Sequence, residues 1–208
     1  MLSPGVIFDM DGLLLDSERI ARDAWREASR RHGHDMPDGL FEAMIGRTKL
    51  DSEALLRDAF GPGFDFTRTY LLCADLYERH VQEKGLPLKP GVHEILAGLA
   101  ARRVPLGVAT STRNPHATQR LEQVGLLGYF GVVVTGDQVA RGKPAPDIYL
   151  EAARRLGLDP ARSFALEDSH AGVRSAHAAG LRVIMVPDLL PPTPGAGRAH
   201  RTRRRVAA

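Results

Sequence analysis

Two carboxylates one residue apart, Asp9 and Asp11, follow the short apolar run Val6-Ile7-Phe8, and Gly12 comes directly after them. The run reads as a buried strand. A parallel sheet gathers its ligands at the carboxyl ends of its strands, so the pair is delivered to a place where substrates bind. There one carboxylate can hold a divalent cation and attack a phosphoryl group, while the other protonates the departing oxygen. Gly12 lets the chain turn sharply behind them. Taken alone, an Asp-x-Asp-Gly segment is as readily a polar turn at a strand end.

Three later segments fall in equivalent places, at strand ends or before helices. In Val108 to Asn114, the Thr110 hydroxyl, Ser111 and successive backbone N–H groups at a helix start can hold phosphate oxygens, although an ordinary cap needs no ligand. Lys143 sits between Gly142 and Pro144 and can balance charge on the nucleophile and the transferring group; a solvated lysine is the plainer alternative. Glu167 and Asp168 follow Phe164-Ala165-Leu166 and suit a Mg2+ site shared with Asp9 and the main-chain carbonyl of Asp11, or else the dipole of the next helix.

Elements that could position these residues are visible in the pattern. Strands are expected at 5–8, Pro105–Ala109, Gly131–Val134, Ser163–Leu166 and Arg182–Val186, alternating with helices at Val92–Arg102, Pro115–Val124, Asp147–Leu156 and Ala171–Ala179. Such alternation implies a parallel sheet covered on both faces. Between 16 and 88 the pattern is helix after helix, near Glu18–Arg31, Gly39–Met44, Leu50–Ala59 and Thr67–Glu83. This predicts a helical insert joined by linkers at Leu13–Ser17 and Gly85–Gly91. Trp25 and Phe41 read as its core, His32 and His34 as a helix-ending loop, and His170 as solvent-facing.

The four segments, in this order, resemble the motif set of the haloacid dehalogenase superfamily of phosphohydrolases over residues 6 to about 187. The run Phe8 to Glu18 is especially similar to the pseudouridine-5′-phosphatase-like group, and the insert is similar to the small helical cap of the β-phosphoglucomutase-like members. The resemblance implies an α/β fold with a Rossmann-like core at 1–15 and 89–190 and a helical cap at 16–88, while the Pro-, Gly- and Arg-rich composition of 191–208 reads as a flexible basic tail. It implies Asp9 as nucleophile, Asp11 as general acid and then base, and Thr110, Ser111 and Lys143 as phosphate ligands. Asp9, Asp11, Glu167 and Asp168 would hold Mg2+. The cap loop with Gly46, Arg47 and Lys49, together with Arg113 and Asn114, would contact substrate, unless the loop is only a solvated basic turn.

Retention of Asp11 speaks against dehalogenation, which this superfamily performs with one aspartate and no metal. A phosphomutase of the family uses a cap histidine and arginine at positions that carry Ala21 and Lys49 here, which favours a phosphatase of a sugar phosphate or nucleoside monophosphate. A non-enzymatic phosphoacceptor would share the acids and the lysine but needs no lid.

The 43% hydrophobic content fits a folded protein, and no apolar run reaches membrane length. Cys73 is the only cysteine, which excludes an internal disulfide and points to the cytoplasm. Of the 28 lysines and arginines, set against 25 acids, five are arginines from Arg198 to Arg205, so the basic excess belongs to the tail. The expected partner is therefore a small phosphorylated metabolite, met by a monomer, and not nucleic acid. Family members usually add a strand and helix after the last strand seen here, so the sheet is expected to lack an edge element.

Overall fold

The computed structural model describes residues 2–192, and the arginine-rich stretch beyond lies outside them. Five strands, β1 (Val6–Phe8), β2 (Leu106–Thr110), β3 (Val132–Thr135), β4 (Phe164–Glu167) and β5 (Arg182–Met185), form one sheet in the order β3-β2-β1-β4-β5. All pairings are parallel. β1 is central: Phe8 is level with Val108 of β2 and with Leu166 of β4. β1 stops there, while β2 runs on to Thr110 and β4 to Glu167, so the ends of its two neighbours flank the residue that follows β1, Asp9. The chain builds outward to β3 on one side and then returns to place β4 on the other. The carboxyl-end crevice of a ligand site belongs at such a reversal.

Four helices follow β1: α1 (Glu18–Arg31), α2 (Asp38–Met44), α3 (Lys49–Phe60) and α4 (Phe66–Lys84). α1 buries Ile20, Ala24, Trp25 and Ala28, a helical stripe laid against α4. There Trp25 lies 6.0 Å from Phe66 and 6.2 Å from Tyr70, ring centre to ring centre. The remaining helices, α5 (Val92–Ala101), α6 (His116–Gln123), α7 (Asp147–Leu156) and α8 (His170–Ala178), alternate with the strands. Ile7, Ala109 and Ala165 pack with Ile148, Tyr149 and Ala152 of α7 and Ala176 of α8 on one sheet face. Val6, Phe8 and Val108 pack with Leu96 of α5 and Leu121 of α6 on the other.

The two segments that join the cap helices to the sheet differ from loose linkers. Leu13, Leu14 and Leu15 are buried, and Leu15 pairs antiparallel with Leu88. Asp16 N–H donates to Pro87 O at 2.8 Å and Lys89 N–H to Leu14 O at 3.0 Å, so both connections satisfy their backbone groups against each other. Lys89 then bridges Asp16 at 3.1 Å and Asp188 at 2.6 Å, and Arg19 reaches Asp188 at 2.9 Å.

Among the described residues β5 has no neighbour on its outer side. It is a four-residue edge led by Arg182, whose guanidinium lies over the Phe164 ring, and a short charged edge resists strand addition. His170 stays partly open to solvent, and its Nε2 is hydrogen-bonded to Pro191 O at 2.8 Å where the chain doubles back after β5. His32 and His34 sit half-buried in the loop that ends α1, where His32 bonds Thr69 through Nδ1 and His34 packs against Phe60 and Phe64.

Candidate active site

Asp9 follows β1 and is 7% exposed; Lys143 precedes α7 and Glu167 ends β4. Lys143 Nζ donates to Asp9 Oδ1 at 2.5 Å and to Glu167 Oε1 at 2.6 Å. Glu167 is fully buried and accepts also from the Tyr149 hydroxyl at 2.6 Å and from the backbone and hydroxyl of Ser169. A buried carboxylate so saturated is held in one orientation, and it fixes the lysine in turn.

Asp168 completes a trio: carboxylate oxygens of Asp9, Glu167 and Asp168 lie within 4.8 Å of one another. Gly12 makes room for it, with a φ of +79° and the position of a Cβ only 2.2 Å from Asp168 Oδ2. Asp11 points its side chain elsewhere, accepting from Ser17 Oγ at 2.8 Å and Thr112 Oγ1 at 2.7 Å. Its carboxylate is thus positioned by two hydroxyls at the side of the nucleophile.

The trio faces a single ammonium, and the imbalance shows in its protonation. Burial, reinforced by Glu167 and Asp11 and opposed by Lys143, pushes Asp9 up to about 7. Burial and the charges of Asp9 and Glu167 push Asp168 up to about 9. Lys143 moves the other way from a buried lysine: burial favours its neutral form, but Asp9 and Glu167 keep its pKa above the usual value. Oxygen donors in surplus over cations fit a hard divalent ion, and the residues present therefore suit one.

Comparison with known proteins decides the family. The haloacid dehalogenase-like hydrolase family matches residues 6–186. The chain belongs to that family. It is 35% identical over 179 residues to the phosphorylated carbohydrates phosphatase of Thermotoga maritima, covering 86% of this chain and 82% of that protein. It is 35% identical over 194 residues to a probable pseudouridine-5′-phosphatase of Drosophila melanogaster, covering 88% and 80%. The crystal structure of CbbY from Rhodobacter sphaeroides in complex with phosphate superposes with a TM-score of 0.78 at 29% identity, over 94% of this chain and 92% of that one.

In this member of the haloacid dehalogenase-like family, one cavity of about 950 Å3 opens above the trio between the helical layer and the sheet ends. Asp9, Asp11, Lys143 and Asp168 line it, as do Thr110, Ser111, Arg113, Asn114, Gly46, Arg47 and Lys49, while Glu167 lies beneath. Ser111 Oγ has no hydrogen-bond partner among the described residues, whereas Thr110 Oγ1 accepts from Thr112 N–H at 3.1 Å. Asn114 N–H is already bonded to Asp137. The cap loop touches the sheet ends through Gly46, whose φ is +73° and whose Cβ position is 2.6 Å from Ser169 Oγ. Lys49 Nζ lies 4.1 Å from the centre of the Tyr70 ring, and no ion pair holds Arg47, Lys49 or Arg113 among the described residues. Trp25 and Phe41 are buried in the cap and also line the cavity.

Several site residues escape a reading of the sequence. Ser17 and Thr112 support Asp11, and Tyr149 supports Glu167. Glu18 lines the cavity with its carboxyl pushed up to about 8 by burial and by Asp11 and Asp9. Tyr77, Glu78 and Arg120 line it as well. Thr112 lies inside the Val108–Asn114 segment and Glu18 closes the Phe8–Glu18 run, so both were within reach of a spacing argument. Tyr77 and Arg120 sit inside amphipathic helices, where a tyrosine reads as core and an arginine as solvated surface.

Proposed function

We propose that the chain is a Mg2+-dependent phosphatase of a small phosphate monoester, a sugar phosphate or nucleoside monophosphate, acting through a phosphoaspartyl intermediate on Asp9. One observation carries this reading: Asp9 bonded to Lys143 at 2.5 Å within a buried carboxylate trio at the floor of a ligand-sized cavity. The names of the relatives, phosphatases of phosphorylated carbohydrates and of pseudouridine 5′-phosphate, support the substrate class.

Asp9, Asp168 and the main-chain carbonyl of Asp11, with Glu167 behind them, would hold the Mg2+. When bound, the ion supplies positive charge that offsets repulsion between an ester dianion and the attacking carboxylate. Lys143 adds a second positive charge on the nucleophile's side, and Thr110 and Ser111 orient the phosphoryl oxygens. A carboxylate oxygen of Asp9 bonds to phosphorus as the ester P–O bond breaks, and Asp11 gives its proton to the departing alkoxide. Asp11 then takes a proton from water, whose oxygen bonds to phosphorus. The P–O bond to Asp9 breaks, phosphate leaves and the carboxylate is restored.

In this reading residues 16–88 act as the cap over a core of 1–15 and 89–190, with Gly46, Arg47, Lys49, Arg113 and Asn114 touching the rest of the substrate. The enzyme works as a monomer in the cytoplasm, where the buried Cys73 stays a thiol. No helix among the described residues is long and apolar enough to cross a membrane. Release of p-nitrophenol from p-nitrophenyl phosphate, with and without Mg2+, tests the assignment. Magnesium-dependent turnover that Asp9→Asn abolishes is the expected result; full turnover in that variant rejects it.

A further inference from the structure

Beside the general acid the cavity wall holds a polar group that ester hydrolysis itself does not require. Tyr77, on α4, is only 6% exposed, and its hydroxyl has no hydrogen-bond partner among the described residues. Arg120, on α6, lays its guanidinium against that ring, 4.4 Å from the centre. Its Nη1 lies 3.5 Å from Asp11 Oδ1 and its Nη2 lies 3.4 Å from Glu78 Oε1. Both distances are beyond the usual N–H···O range, so a better-placed oxygen can displace either contact. Tyr77 and Glu78 come from the helical insert and Arg120 from the sheet side, so the group exists only where the two meet.

Three considerations set the chemistry of its ligand, the first taken from the proposed mechanism. Asp11 hands its proton to the leaving oxygen, so groups in contact with Asp11 flank the carbon that bears that oxygen. Glu78 already balances the single charge of Arg120, and Asp11 is protonated for its task, so the group has no net positive charge to attract a further anion. A hydroxyl needs none, since it accepts from a guanidinium N–H and donates to a carboxylate or a phenol oxygen in the same place.

We propose that Tyr77, Glu78 and Arg120 form a leaving-group subsite that takes a hydroxylated carbon next to the scissile ester, as in polyol and sugar phosphates. The inference rests on the phosphatase reading and narrows it. Anionic groups farther from the ester would meet Arg47, Lys49 and Arg113 at the mouth instead.

A matched pair of substrates tests it: glycerol 1-phosphate and n-propyl phosphate share a carbon skeleton and differ only in two hydroxyls. The full chain is expected to favour the glycerol ester in kcat/KM by at least about tenfold, as a site built for hydroxyls should. Tyr77→Phe and Arg120→Gln are each expected to lower that ratio about five- to tenfold. If the residues merely hold cap to core, both esters slow alike and the ratio stays fixed. An unchanged ratio in either variant, or a wild-type preference for the propyl ester, overturns the subsite. Turnover of p-nitrophenyl phosphate separates the two levels: if it persists while the ratio fails, only the subsite falls, and if no ester is cleaved, the phosphatase reading falls first.

Discussion

The floor and the roof of the cavity are built on opposite principles. On the floor every polar atom of Glu167 has a partner and Lys143 is locked between two carboxylates. On the roof the Tyr77 hydroxyl has none among the described residues and Lys49 lies on an aromatic ring, while Arg120, meeting Tyr77 from the sheet side, makes only long contacts with carboxylates. The floor is preorganised for a charge redistribution that is the same for every phosphate ester. The roof keeps its polar groups uncommitted, which is where discrimination among leaving groups can reside.

The contrast can be broken from the floor upward. Asp9→Asn is expected to lower turnover by at least about 10³-fold, because it removes the attacking atom while leaving its shape; steady-state assays check this, and a variant within tenfold of wild type would deny the floor its role. Lys143→Met should cost about 3–5 kcal/mol in stability by stranding Asp9 and Glu167. Urea denaturation at neutral pH measures that loss, and a cost under about 1 kcal/mol would show that the pair is not a buried interaction.

Metal linkage comes next. Asp9 and Asp168 titrate near 7 and 9 when folded, above the values of free carboxyls, so the native protein without metal keeps protons that the unfolded chain releases. Its stability therefore falls as pH rises from about 4 toward those values. Lys143, raised above its ordinary 10.5, contributes fully throughout that window and does not reverse the sign. Mg2+, the ion of the proposed function, would compete with those protons at the trio. Its stabilisation, about 2–3 kcal/mol at a hundredfold excess over Kd, should be larger at pH 8.5 than at pH 5.5. Thermal melts at both pH values decide it, and equal gains would contradict the charge surplus.

The smallest effect belongs to the roof. Tyr77→Phe removes a buried hydroxyl that has no partner among the described residues and should stabilise the protein by about 1 kcal/mol, or roughly 2–4 °C in Tm. A variant less stable than wild type would mean that the hydroxyl is already satisfied and is not held for a ligand.

The same division explains what could be read in the sequence. Asp9, Lys143 and Asp168 stand at strand ends and before helices, in places that period and turn residues mark, so their convergence follows once the sheet is parallel. The strands and the eight α-helices of the described residues were legible for the same reason. Tyr77 and Arg120 carry no such mark, because their roles arise where a side chain of α6 reaches side chains of α4, a contact between segments far apart in the chain. The Leu13–Leu15 turn read as a linker because three leucines look alike whether they lead into a cap or seal its base; pairing with Leu88 decides it.

The most direct measurement is chemical trapping of the nucleophile. The protein is mixed with Mg2+ and a phosphate ester, quenched during turnover, reduced with borohydride and read by peptide mass spectrometry. An acyl phosphate at position 9 converts that aspartate to homoserine, and this account expects the change at Asp9 alone and only with ester present. Reduction at Asp11 or Asp168 instead, or none during undiminished turnover, would contradict it.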